Sequence, residues 1–539
     1  MEAYSRCRAL VQSMIETFRG NVLEASQQLG WRSPGATPAI IVSRGASYLA
    51  IQNVITTVAQ VVAFAILARI ITPEQMGILA VLSLVTAFCQ ALDGAAFQQA
   101  ATKFIGELHP NQNAAISAIF YQTIRVSIFF SVPLAVVVFL LSPTLASALL
   151  GAGADAYLFR FLALDILIFA GALPVAIGTL FGLQRFRAAS TIGVAGVLLR
   201  QCLIIVLIIL LHDFVGLVIA WVLSDLATFA AYLVYIFRVV GWPSGVFSVR
   251  KLLGFSWPLN IGSVLNFGYS WFDRALLVAF VPLAALGVYN AMLFAFSALA
   301  GISVSISNAL LPVFSNMSSR GDGFESGRKA TRLASRYASL TIVPLTFGLL
   351  AVAKPALTVF VGEAYVGGTL PLMILCLAFG LTAFSVGVTP MLVAISGTRM
   401  SMVATAASVL VGLASAYFLL PIWGIVGTSV ARGLAMVASA GFVLLVLDRR
   451  KAMGLDVEAI WKSLVAGIVM SVVLFGAQMI LYSRLLLPVY VVLGGITYLA
   501  VLRLLKTVRK DDLDLVSRYL GSRLGFARKL LAMMVVSDQ

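Results

Sequence analysis

Nine charged residues interrupt long apolar runs of this chain: Asp93, Arg125, Arg160, Asp165, Arg200, Asp225, Asp273, Arg274 and Arg432. At the centre of a membrane span such a residue costs about 2.5–3.5 kcal/mol, so it is expected to face a polar cavity or another charge. Arg200 and Asp225 lie on neighbouring apolar runs, each about a dozen residues from the shared turn at 212–213. At 1.5 Å of rise per residue that places them at equal depth. They are expected to form an ion pair, serving either as a structural clip or as a gating or cation-coupling pair. Arg274 and Arg432 fall in the outer halves of their runs and could present cations to a cavity. The planar guanidinium suits phosphate there, because it pairs bidentately with it. Asp273, adjacent to Arg274, should point about 100° away on a helix, so the two are not expected to face one site squarely. Arg125 and Arg336 sit near span ends, where snorkelling suffices.

Other chemistries find no residues to carry them. The four cysteines, Cys7, Cys89, Cys202 and Cys376, are scattered without CxxC spacing, so no metal site or disulfide framework is expected. His109 and His212 have no second ligand at helical spacing and are expected to be solvated. No Gly-Lys dipeptide occurs, so the Walker A phosphate loop is absent. The longest connections on the lysine- and arginine-poor side, near 142–156 and 353–369, hold only Asp155, Lys354 and Glu363. A membrane glycosyltransferase or polymerase needs more than that. No cofactor and no enzyme activity are expected.

The elements that must position these charges are transmembrane helices. Of 539 residues, 61% are hydrophobic and 11% charged, about half the charged fraction of a soluble protein. Mean hydropathy is +1.03. The fold class expected is an all-α polytopic membrane protein. About fourteen spans of about 20 residues begin near residues 46, 76, 116, 156, 189, 214, 253, 286, 330, 368, 400, 424, 459 and 485. Arg44, Lys103, Arg185, Arg187, Arg250, Lys251, Arg320, Arg328, Lys329, Arg399, Arg449, Arg450 and Lys451 all fall in alternate connections. The positive-inside rule then places both termini in the cytoplasm. The net charge of +16 is mostly a property of that face, matched to anionic lipid headgroups rather than to nucleic acid. The first segment lacks the apolar core of a signal peptide. Its apolar residues recur at helical spacing, which suggests an amphipathic interfacial helix. The basic tail, with Leu513, Val516, Leu520 and Leu524 as its apolar stripe, reads the same way.

The chain also repeats itself. "RVSIFFSVPLAVVVFLLSPTLASALLGAG" from Arg125 matches "RYASLTIVPLTFGLLAVAKPALTVFVGEA" from Arg336, 211 residues on, with Pro133 against Pro344 and Pro143 against Pro355. Arg187 stands against Arg399, and Gly216 against Gly424. "LARIITPEQMGIL" is echoed by "LVAFVPLAALGVYNAML", where Pro282 and Gly287 stand in for Pro73 and Gly77. Two parallel six-helix lobes follow, 45–238 and 252–447, an arrangement typical of alternating-access transporters. A helical hairpin, 459–505, is appended; a cytoplasmic N-terminal segment, 1–44, and the basic amphipathic tail, 506–539, flank them. Pro133, Pro174, Pro258, Pro344 and Pro390 interrupt spans and permit bends.

"LARIITPEQMG", running straight into the next span, resembles the polysaccharide flippases (Wzx-type oligosaccharide transporters). These belong to the superfamily of multidrug, oligosaccharidyl-lipid and polysaccharide exporters. Arg69, Pro73, Glu74 and Gly77 match that family's turn, and Asp273-Arg274 in "SWFDRALLVAF" matches its Asp-Arg pair. The resemblance covers about residues 44–505 and leaves the long N-terminal segment unmatched. It implies transport of a polyprenyl-diphosphate-linked oligosaccharide across the bacterial inner membrane, for exopolysaccharide, O-antigen or capsule synthesis. Arg200, Arg274 and Arg432 would bind the diphosphate. Asp225, Asp165 and Asp273 are the gating or coupling candidates. Membrane lipids, a polysaccharide polymerase and export proteins would be the partners. The alternatives within the fold are a lipid II flippase and a cation-coupled multidrug extruder using Asp225, Asp165 and Asp93.

Overall fold

The structure, a computed structural model, describes residues 38–108, 113–151, 156–211, 214–242, 245–320, 323–450 and 453–507. The amphipathic stretch expected before residue 38, the tail beyond 507, and His109, Asp155 and His212 lie outside them. The described residues are helical nearly throughout and contain no strand.

The first half runs α1 (Pro38–Ile70), α2 (Pro73–Leu92), α3 (Gly94–Gly106), α4 (Asn113–Leu140), α5 (Ser142–Leu149), α6 (Tyr157–Ile166), a π-helical segment (Leu167–Ala172), α7 (Leu173–Gly182), α8 (Phe186–Leu211) and α9 (Val215–Val240). The second half runs α10 (Val249–Phe280), α11 (Leu283–Arg320), α12 (Gly323–Ala351), α13 (Ala353–Phe360), a 3-10 turn (Glu363–Gly368), α14 (Thr369–Leu381) and α15 (Ala383–Arg449). The appended pair is α16 (Val457–Ile480) and α17 (Leu487–Leu504).

Twelve helices among the described residues are long and apolar enough to cross a membrane, against about fourteen expected. The difference has two local causes. Val249–Phe280, the expected seventh span, is long enough but is diluted by Pro258, Asn260 and Asn266 as well as by Asp273 and Arg274. The expected spans near 400 and 424 are joined in one 51-residue stretch, Arg399–Arg449. That stretch is more than twice the about 20 residues of one crossing, and it bends at Gly424, whose φ of 55° suits glycine.

Local chemistry explains the sharp turn between α1 and α2. The Thr72 hydroxyl accepts from the Gln75 N–H at 3.3 Å, while Gln75 Oε1 accepts from the Thr72 N–H at 3.0 Å. This capping box is followed by Pro73 in the first turn, where its missing N–H costs nothing. Glu74 is exposed in that same turn, near the positive end of the helix dipole.

α16 is bound tightly to α12 by polar contacts at both ends. Arg336 Nη1 donates to Asp456 Oδ2 at 3.2 Å and Nη2 to the Thr507 carbonyl at 2.7 Å. The expectation that Arg336 snorkels is therefore corrected: its side chain is 3% exposed. Arg125, its counterpart in the repeat, is exposed. The hairpin supplies the acid that one half has and the other lacks. Farther along, Ser471 Oγ donates to the Phe347 carbonyl at 2.9 Å, and Gln478 Nε2 donates to the Ala351 carbonyl at 2.9 Å.

Candidate functional site

Two regions carry the site: a closed seam between the two halves, and charge clusters buried within each half. The seam lies on the face that is poor in lysine and arginine. There α2 packs along α11, and the two repeated glycines meet crosswise. A methyl on Gly77 would collide with the Leu283 backbone, and one on Gly287 would collide with the Pro73 carbonyl and the Gly77 nitrogen. Glycine at both positions lets the helices touch backbone to backbone. Arg69 Nη2 donates to the Val359 carbonyl at 2.6 Å, and Tyr365 Oη donates to the Ile71 carbonyl at 3.2 Å. Beneath them Phe64 of α1 stacks on Phe294 of α11 with centroids 3.9 Å apart, and on Phe360 at 6.2 Å. The residues around "LARIITPEQMG" thus tie the halves together.

Asp273 and Arg274 of α10 and Arg432 of α15 form the first cluster. Arg432 Nη1 lies 2.5 Å from Asp273 Oδ2, and Arg274 Nε lies 3.8 Å from Oδ1. The Arg274 N–H also donates to Oδ1 at 2.8 Å, and Tyr289 Oη donates to Oδ2 at 2.8 Å. Adjacent residues do share one site here, contrary to the simple helical-wheel expectation. Arg274 folds back along its own helix, donating to the Ser270 carbonyl at 2.9 Å and lying over the Trp271 ring at 3.6 Å. Two guanidinium groups surround one carboxylate, leaving a net charge of +1. The Nε donors of Arg274 and Arg432 are both buried and have no hydrogen-bond acceptor among the described residues.

Tyr289 was not legible as a functional residue, since a tyrosine in an apolar run reads as core. Its position is what matters: it lies on α11 just beyond Gly287 and is fully buried. One side chain therefore joins the seam to the charge cluster.

Arg200 lies elsewhere. Its Nη1 is 3.3 Å from Asp225 Oδ2, and its guanidinium lies over Trp221 at 4.8 Å and Phe169 at 5.4 Å. Asp165, fully buried on α6, lies near Asp225 and Arg200, and neither of its carboxylate oxygens has a hydrogen-bond partner among the described residues. A cavity of about 180 Å³ opens beside Arg200 and Asp225, with Gln52, Thr228 and Tyr232 on its walls. The three arginines expected together thus separate into a pair, Arg274 and Arg432, and a single Arg200 that belongs with Asp225 and Asp165. Asp93 is buried in a third place, at the junction of α2 and α3.

Asp456, just before α16, is the remaining buried acid with a defined charge environment. Burial works against its ionised form, but the Ala459 N–H, Arg336 and Arg332 outweigh it and hold its carboxyl below the ordinary range. Among the described residues, no group of three or more His, Cys, Asp or Glu side chains could hold a metal ion.

Comparison with known proteins gives the architecture its context. The chain is 25% identical over 304 residues to the succinoglycan biosynthesis transport protein ExoT of Rhizobium meliloti (strain 1021). That alignment covers 56% of this chain and spans 58% of the relative's length. The fold is that of the lipid II flippase MurJ in its inward closed conformation, with TM-score 0.69, 14% identity, and 84% of this chain and 97% of that one covered. It is also that of an inward-facing multidrug resistance MATE family transporter of the MOP superfamily, with TM-score 0.60, 16% identity, and 76% and 98% covered. The polysaccharide biosynthesis protein family matches residues 42–318, more than half of the chain's 539 residues. This protein, a multi-pass membrane protein with the fold of transporters, belongs to that family.

Proposed function

We propose that the protein moves a polyprenyl-diphosphate-linked oligosaccharide from the inner to the outer leaflet of the bacterial inner membrane, by alternating access, and is not an enzyme. Both termini are cytoplasmic in this reading, and the arginine-poor seam faces outward. The halves 45–238 and 252–447 are the moving lobes, and the hairpin 459–505 travels with the second. Membrane lipids, a polysaccharide polymerase and export proteins are the proposed partners.

The observation that carries the reading is the pair of guanidinium groups around Asp273, with both Nε donors unused and a net charge of +1. A diphosphate offers acceptor oxygens to both. As it engages Arg274 and Arg432, it competes with Asp273 for them. Asp273 then shifts its hold on Tyr289, and Tyr289 sits on the helix that seals the outward face. Ligand binding and opening of the seam are linked through that one hydrogen bond. Asp273 acts as the gating carboxylate. Asp165 and Asp225 form the coupling group of the first lobe, with Arg200 balancing one of their charges. Arg200 contributes to diphosphate binding only if the lobes bring it toward the cavity.

Translocation of a fluorescent polyprenyl-diphosphate oligosaccharide in proteoliposomes tests this. Arg274→Ala and Arg432→Ala should each lower the rate by about tenfold or more, the effect of losing about 1.4 kcal/mol of binding. Arg200→Ala should lower it less and change its dependence on the cation gradient. Unchanged rates in all three variants would sink the proposal.

A further inference from the structure

Among the described residues, Asp93 and Asp165 are fully buried aspartates that make no ion pair within 4 Å, whereas three others face guanidinium groups. Asp225 faces Arg200, Asp273 faces Arg274 and Arg432, and Asp456 faces Arg336. No ion pair among the described residues involves Asp93, although it is fully enclosed at 0% exposure. Its Oδ1 accepts from Ser127 Oγ at 3.2 Å, and its Oδ2 has no hydrogen-bond partner. A bare carboxylate in an apolar interior takes up a positive charge, as a proton or as a cation.

The surroundings are built from oxygen. Three helices depart from regularity at this one point. The span 73–106 breaks at Asp93 itself, between α2 and α3. The π-helical segment Leu167–Ala172 widens the backbone beside it. Ser131 lies just before Pro133, which cannot donate to the helical ladder. Irregular backbone at membrane depth is tolerated where it lines a site that uses its carbonyls. Ser127 Oγ is also 2.9 Å from the Gly171 carbonyl, so its single proton must choose between that carbonyl and Asp93. A Cβ on Gly171 would come within 2.5 Å of Ser131 Oγ and 3.7 Å of Asp93 Oδ2, so glycine there lets the π-helical backbone approach both side chains closely.

We propose that Asp93, Ser127, Ser131 and the Gly171 carbonyl hold a sodium ion in the first half of the molecule. The donors are all hard oxygens, and the single carboxylate matches a single positive charge. A divalent ion would call for more carboxylates. A proton would use Asp93 alone and leave the hydroxyls and the widened π segment without a role. The site is separate from both arginine clusters and does not depend on the identity of the transported molecule. An ion there fixes the angle between α2 and α3, and α2 carries Gly77 into the interlobe seam.

Equilibrium binding of radioactive sodium to the purified full-length protein in detergent, without glycolipid and with choline holding ionic strength constant, tests the site. The wild type should bind one sodium ion per chain, saturably, with thermal stabilisation by sodium and not by choline. Asp93→Asn should weaken binding at least tenfold and Ser131→Ala several-fold, while Glu74→Gln should leave it unchanged. Should Asp93→Asn fail to fold, Ser131→Ala and Asp93→Glu decide the matter, and unchanged affinity in both overturns the proposal. So does a wild type without saturable sodium binding, or one stabilised only by lowering the pH, equally in sodium and choline. Glycolipid movement plays no part in this measurement, so its failure leaves the transport reading intact, and the reverse holds too.

Discussion

Single residues decide how each half is held. Arg200 and Asp225 could be matched from the sequence because a short turn fixes their relative depth. Arg336 and Asp456 could not, because 120 positions separate them and only packing of the hairpin on α12 brings them together. Asp456 makes a measurable case. Its folded-state carboxyl is held below the ordinary range of about 3.9, chiefly against the cost of its own burial, by the Ala459 N–H and Arg336. A depressed carboxyl stabilises the fold above the unfolded value and loses that contribution as pH falls through the folded one. Asp456→Asn should therefore lower thermal stability in detergent at pH 7, by about 1–3 kcal/mol, as expected when a buried donor loses its charged acceptor. The deficit should stay level down to about pH 5 and shrink below about pH 4, as the carboxyl protonates first in the unfolded chain and then, at lower pH, in the folded one. A deficit that persists unchanged at pH 3 would mean the loss comes from shape and not from charge.

At the scale of elements, the repeat was readable because its scarce residues, proline and glycine, do specific backbone work. Pro73 and Pro282 start helices, and Gly77 and Gly287 let those helices cross. The pairing of Gly216 with Gly424 was less faithful to structure. Gly216 lies against the Leu207 backbone, and the glycine that lies in the same way against Leu419 is Gly427. Gly427 follows Gly216 by 211 residues, the same offset that relates Arg125 to Arg336. Gly424 instead bends α15. A hydrophobic sequence aligns almost as well a few residues out of register, so only the backbone contact could choose. Span counting met a similar limit at α10, where Pro258, Asn260 and Asn266, together with Asp273 and Arg274, lower the very hydropathy that marks a span. The crossing itself gives a prediction. Gly77→Val and Gly287→Val each place a branched side chain where backbone sits, so they should hold α2 and α11 apart on the arginine-poor face. A cysteine introduced at Leu283, in a background without native cysteines, should then react with a membrane-impermeant thiol reagent added from outside at least about tenfold faster, since closure of the seam is disfavoured by more than about 1.4 kcal/mol. Equal reactivity with and without the valine would show that the seam closes by other contacts.

At the scale of the whole molecule, what sequence could not reveal is which face is shut. Arg69, read as one mark of a family's turn, reaches 290 positions along the chain to the Val359 carbonyl, and no local pattern encodes that contact. Phe64, Phe294 and Phe360 stack from three separate helices, each looking like an ordinary core aromatic on its own. Alternating access requires that these contacts part once per cycle, since a carrier open to both sides at once would dissipate gradients. Cysteines at Arg69 and Val359, joined by a short cleavable thiol crosslinker after Cys7, Cys89, Cys202 and Cys376 are replaced by alanine, should lock the seam. Translocation should fall to the level of empty liposomes and recover on cleavage. Under the proposed function, a lipid-linked substrate bound at Arg274 and Arg432 shifts the population toward a parted seam only through its preference for that state, so it should also slow formation of the crosslink in proportion to its occupancy. Full transport by the crosslinked protein would show that the Arg69–Val359 contact persists through the cycle, and would place the moving boundary between other helices.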